Sequence, residues 1–93
     1  MKLKWEEAGR SSDYVSVYGD VEIEPGTNHP DFFGYRGQKD SDSQPMRWVV
    51  LKFYQGEMGE SCEDILQENV PSESACRAVI MDYFLRNYDS DAD

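Results

Sequence analysis

The chain has 93 residues, 39% of them hydrophobic and 13% aromatic, which confines it to one domain, supplies enough apolar area for a compact core and excludes disorder of the whole chain. Nineteen Asp and Glu stand against nine Lys and Arg, and a formal net charge of −10 argues against direct binding to a phosphate backbone. No apolar run reaches the roughly 18 residues of a membrane span, and the opening Met1-Lys2-Leu3-Lys4-Trp5-Glu6-Glu7 lacks the apolar core of an export signal, so a soluble cytoplasmic protein with no membrane partner is expected.

Residues 2–7 alternate Leu3 and Trp5 with Lys2, Lys4 and Glu6, the period-two pattern of a strand with one apolar face, and residues 7–13 read as a turn. Residues 14–24 carry the clearest alternation: Val15, Val17, Gly19, Val21 and Ile23 share the face turned to the core, with Gly19 marking a bulge or bend. Residues 25–45 hold Pro25, Gly26, Pro30 and Gly34 before Tyr35, then the polar tract Gly37-Gln38-Lys39-Asp40-Ser41-Asp42-Ser43-Gln44. This predicts a long loop in which Phe32-Phe33-Gly34-Tyr35 packs or pairs as a short strand. Residues 46–54 are apolar on both faces, as in a strand inside a sheet.

After Gly56 the pattern turns helical. Ser61-Cys62-Glu63-Asp64 fits a capping box and predicts a short helix over residues 62–68, ended by Pro71. Ser72 caps a main helix over residues 73–87, with Cys76, Val79, Ile80 and Tyr83 at i, i+3, i+4, i+7 facing the sheet and Met81, Phe84, Leu85 and Tyr88 on the far side. The fold class is therefore α+β: an antiparallel sheet of three or four strands with a C-terminal helix packed on one face. A single domain spans residues 1–88, followed by an acidic flexible tail, Asp89-Ser90-Asp91-Ala92-Asp93.

No catalytic constellation emerges, so no enzyme activity and no cofactor are expected. His29, the only histidine, stands among turn formers without a nucleophile beside it in sequence. Cys62 and Cys76, with thirteen residues between them, lack the paired spacing of a zinc site and read as free thiols in the core. The tail imitates the start of a calcium loop but has neither its glycine nor its closing glutamate, and no metal site is expected.

The informative feature is the distribution of charge. Residues 1–54 carry nine acids and seven bases, whereas residues 55–93 carry ten acids and two bases. Glu57, Glu60, Glu63, Asp64, Glu68 and Glu73 follow one another without an intervening Lys or Arg, and such a run attracts a basic surface unless it serves only as a solvated face. The far side of the main helix, through Met81, Phe84, Leu85 and Tyr88, offers an alternative apolar interface for assembly as a structural or regulatory subunit, a homodimer included.

In size, acidity and absence of a catalytic motif the chain resembles the small inhibitor proteins that bacteriophages make against host defences, of the anti-CRISPR and anti-restriction type. That resemblance implies a non-catalytic protein in the host cytoplasm. Its target would be a protein or complex that normally holds nucleic acid in a basic groove, here occupied by Glu57, Glu60, Glu63, Asp64, Glu68 and Glu73.

Overall fold

A computed structural model describes residues 1–88; the expected acidic tail, residues 89–93, lies outside the described residues. Five strands form one antiparallel meander in chain order: β1 (Lys2–Arg10), β2 (Tyr14–Glu24), β3 (Thr27–Gln38), β4 (Arg47–Gln55) and β5 (Ser61–Val70). Helix α1 (Glu73–Asn87) then crosses one face, touching β3, β4 and β5. The architecture is α+β as the alternation predicts, but with five strands in place of three or four.

The additional strand pairing comes from segments whose composition hid them. Residues 25–45 are not a long loop. Pro25-Gly26 makes a tight β2–β3 turn, with Gly26 at φ +86°, a conformation only glycine adopts at no steric cost, and β3 runs for 12 residues through the centre of the sheet. Pro30 is tolerated inside β3 because the ladder bulges there. Asp20 pairs with Phe32 and Glu22 with Asn28, so His29, Pro30 and Asp31 together stand opposite Val21, and the missing N–H of Pro30 costs no ladder bond.

Residues 62–68 are not a helix either. They form the middle of edge strand β5, which pairs with β4 from Gln55↔Ser61 to Trp48↔Val70. The apparent capping box at Ser61 is overruled by the tight turn at residues 56–60: Gly56 N–H donates to the Glu60 carbonyl at 2.8 Å, Gly59 N–H donates to the Gly56 carbonyl at 3.0 Å, and Gly59 sits at φ +80°. Two register shifts on β5, with Asn69 at φ 54°, break its alternation.

The core lies between the sheet and α1. Val15, Val17 and Val21 of β2, Phe33 and Tyr35 of β3, Trp48 and Val50 of β4, and Val70 meet Cys76, Ile80 and Phe84 of the helix. Ser72 caps the helix as its sequence predicts, its hydroxyl accepting the Ala75 N–H at 3.2 Å. Two expectations on this face are corrected. Phe84, placed on the far side of the helix, is 3% exposed, and Tyr88 folds back so that its ring meets Phe33 edge-on, because Cys76, Ile80 and Phe84 at i, i+4, i+8 form the innermost row. Ile23, assigned to the core, is exposed beyond the bulge opposite Val21.

Gly19 is not a bend. It pairs in register with Trp5 and Phe33, and a Cβ there would stand 2.9 Å from the Trp5 ring, so its role is to give that indole room. The β1 bulge falls instead between Glu7 and Gly9.

Candidate functional site

Because a strand alternates its side chains, the carboxylate run is divided between the two faces of β5 and the hairpin before it. Glu57 and Glu60 stand in the β4–β5 turn, where Glu60 accepts the Met58 N–H at 3.0 Å and Met58 itself projects 93% exposed at the tip. Glu63 points to the sheet face that α1 leaves open and accepts from Arg36 Nη2 at 3.0 Å. Asp64 points to the helix side, opposite Lys52 in the ladder, and its negative charge raises the pKa of the Tyr54 phenol. Glu68 lies in the bulged end of β5 and lines a cleft on the open face.

Glu73 does not belong to that surface. Its carboxylate is bound by Arg10 Nη2 at 2.8 Å and by the Tyr35 hydroxyl at 2.5 Å, and those hydrogen bonds, led by the one from Arg10, hold its pKa below the usual carboxylate range. Arg77 completes the cluster by donating from Nε to the Tyr35 oxygen at 3.0 Å while its guanidinium lies 4.9 Å from the Trp5 ring centroid. This network fastens the first turn of α1 to the sheet. No Lys or Arg intervenes in the sequence of the acidic run, but in three dimensions Arg36 and Arg10, remote in the chain, reach Glu63 and Glu73.

The uncovered face of the sheet is a surface that sequence periodicity did not single out. Cross-strand register aligns Glu6, Tyr18, Gly34, Leu51 and Ile65 in one row and Lys4, Asp20, Phe32, Phe53 and Glu63 in the next. Phe32 and Phe53 stack at 4.8 Å with Tyr18 against both, and Gly34 leaves the space that the Phe53 ring fills. Beside this stripe the face sinks into a cleft of about 530 Å³, floored by Val49, Leu51 and Ile65 and edged by Arg36, Arg47, Asp40, Glu63 and Glu68. The available signal was the double-faced apolarity of β4 together with Tyr18 on the polar side of β2.

On the helix, Met81 and Leu85 are exposed, so the alternative apolar interface shrinks to these two residues once Phe84 and Tyr88 join the core. His29 Nδ1 accepts the Asp31 N–H at 2.9 Å and its ring meets Tyr88 edge-on, a local role in the β3 bulge. Cys76 is buried, and burial pushes its thiol up to about 11; Cys62 is only half-buried, which corrects the expectation that both thiols lie in the core. Among the described residues no three His, Cys, Asp or Glu side chains converge as metal ligands, and no helix is long and apolar enough to cross a membrane. Compared with known proteins, the chain matches no family model, no curated protein and no solved structure.

Proposed function

We propose that the chain is a non-catalytic, protein-binding inhibitor that uses an acidic surface to occupy the basic, nucleic-acid-binding site of a host defence complex. The observation that carries this reading is the gathering of Glu57, Glu60, Glu63, Asp64 and Glu68 on one edge strand and its hairpin, without a Lys or Arg on that segment. Alternation turns Glu63 to the open face and Asp64 to the helix side, so this edge of the sheet carries negative charge on both of its sides. Among the described residues Glu57, Asp64 and Glu68 make no ion pair, which leaves their field directed outward.

The test is retention of proteins from a cell lysate on the immobilised chain at low and high salt, with double-stranded DNA as competitor. Expected is a retained nucleic-acid-binding protein that both salt and DNA release. The variant carrying Glu57→Gln, Asp64→Asn and Glu68→Gln should keep the fold and bind that protein roughly ten- to a hundredfold more weakly at low salt. Retention indifferent to DNA and unchanged in the triple variant would overturn the mimicry.

A further inference from the structure

A five-stranded meander leaves two free edges, and the backbone N–H and C=O groups along an edge accept a further strand wherever the side chains allow it. The outer edge of β5 is broken by two register shifts and by the left-handed Asn69, whereas β1 pairs with β2 in unbroken register from Lys2 to Glu7 and no described segment covers its outer side. Charge marks β1 out as well. It carries three bases against two acids in a chain of net charge −10. Lys2 and Lys4 share the single Glu22 carboxylate, at 3.5 and 3.2 Å, so a positive surplus stays at the surface, where the Lys4 side chain is 59% exposed. Glu6, two residues further on and on the same open face, makes no ion pair among the described residues.

We propose that the outer edge of β1 pairs antiparallel with β1 of a second copy of the chain, with Trp5 on the two-fold axis and Lys4 of each copy opposite Glu6 of the other. The register follows from symmetry and charge. Only alternate residues of a strand turn both N–H and C=O outward, so a two-fold axis between antiparallel strands must set one residue opposite its own copy for these groups to meet. With Leu3 on the axis, Lys2 would stand against Lys4; with Lys4, Glu6 or Glu7 on it, that residue would stand against itself. Like charges directly opposite one another destabilise a strand pair. Trp5 on the axis avoids every such clash: it sets Lys4 against Glu6 twice, and Leu3 against a Glu7 whose carboxylate Arg10 already holds. Lysines on an edge ordinarily ward off other strands, but a carboxylate two residues away makes this edge complementary to itself. The acidic β5 edges of the two copies then stand nine strand spacings apart, about 43 Å, several times the ~8 Å screening length at physiological ionic strength. This pairing goes beyond the acidic reading and does not rest on it, since the β5 carboxylates stay free at the far edges.

Sedimentation equilibrium of the full chain at increasing concentration, together with amide hydrogen exchange followed by NMR, tests the pairing. A monomer–dimer equilibrium is expected, in which alternate amides of residues 3–7 gain protection as the dimer forms. Glu6→Lys, which leaves Glu22 and the core untouched, should weaken the dimer roughly tenfold. Mixing Glu6→Lys with Lys4→Glu should restore a mixed dimer, because opposite charges then meet at both pairs. Should Lys4→Glu fail to fold beside Glu22, Glu6→Lys decides, with Glu6→Gln expected to weaken the dimer by less. A chain that stays monomeric up to millimolar concentration would overturn the inference, as would a dimer that Glu6→Lys leaves unchanged. New protection along the outer edge of β5, or signal changes confined to Met81 and Leu85, would move the contact elsewhere and overturn it too. None of these outcomes bears on the acidic surface, which competition by DNA tests separately.

Discussion

The hydroxyl of Tyr35, at the centre of the sheet, donates to Glu73 in the first turn of the helix at 2.5 Å, so a side chain from the core and one from a helix end are joined by a single short hydrogen bond. Tyr35 is buried and also accepts from Arg77, which makes its hydroxyl the hinge of the contact between the two layers. Tyr35→Phe removes that group without changing the ring, and it should cost about 1 kcal/mol of stability in urea melts. A loss below about 0.3 kcal/mol would show that the network adds nothing to the packing around it.

The same contacts set the pH range. Glu73 and Glu22 have pKa values held below the ordinary carboxylate, Glu73 chiefly by Arg10 and Glu22 chiefly by Lys4 at 3.2 Å with Lys2 at 3.5 Å. The stability they contribute is complete above the unfolded-state value near about 4.3 and is lost as pH falls through the lower folded values. Burial raises Tyr35 to about 12 and Cys76 to about 11, so the folded state keeps protons that the unfolded chain releases, and stability is lost as pH rises through this range. Urea midpoints measured against pH should therefore fall at both ends. Glu73→Gln should flatten the acid limb and Tyr35→Phe the alkaline limb; an unchanged acid limb in Glu73→Gln would assign it to other carboxylates.

Ile80 is fully buried against the sheet and Ala78 is exposed on the opposite side of the helix. Ile80→Ala should cost about 2–5 kcal/mol through loss of buried methylenes and the cavity left behind. Ala78→Ser should stay within about 0.5 kcal/mol. Comparable losses at the two positions would mean that the helix presents a different row to the core.

Gly37 and Gly9 both interrupt strands, yet only one is held by its neighbours. A Cβ on Gly37 would stand 2.6 Å from the Trp48 ring and 2.6 Å from the Met46 sulfur, whereas nothing lies within 4 Å of one on Gly9. Gly37→Ala should therefore destabilise by about 1–3 kcal/mol as the indole shifts, while Gly9→Ala changes stability by less than about 0.5 kcal/mol. Thermal melts of the two variants decide it.

The cysteines should separate kinetically. Cys62, half-buried on β5, should react with an alkylating reagent in the native state, and Cys76, buried with a raised pKa, only after unfolding. Mass spectrometry after timed labelling reads the order directly, and rapid native labelling of Cys76 would show that the sheet and helix open far more readily than their packing implies.

Strand β2, strand β4 and the main helix with its Ser72 cap could be read from the chain because each carries its own local signal: alternation, β-branched and aromatic density, or a capping side chain followed by a helical row. The same is true of the sign and placement of the charge, which are sums over residues and need no fold. Strand β3 showed only its middle, the Phe32-Phe33-Gly34-Tyr35 segment expected as a short strand, and β5 carried no such signal. In β3 the Pro and Gly residues that argue for a loop occupy a tight turn, a bulge and a close approach under Phe53, positions that exist only once β2 and β4 lie on either side. In β5 the apolar positions Ile65, Leu66 and Val70 fall out of step because two bulges reset the alternation, and the Ser61 capping signal lost to the pairing energy of a hairpin with β4.

Sequence by itself determined the fold class, the helix and its inner residues Cys76 and Ile80, and the acidity of the C-terminal half. Tertiary structure alone decided which carboxylates face outward, since Arg36 and Arg10 reach Glu63 and Glu73 from strands distant in the chain. It also decided that Phe84 belongs to the core and that Tyr18, Phe32, Leu51, Phe53 and Ile65 share an open face. The physical reason is that burial and charge pairing belong to neighbours in space, whereas periodicity reports only neighbours along the chain.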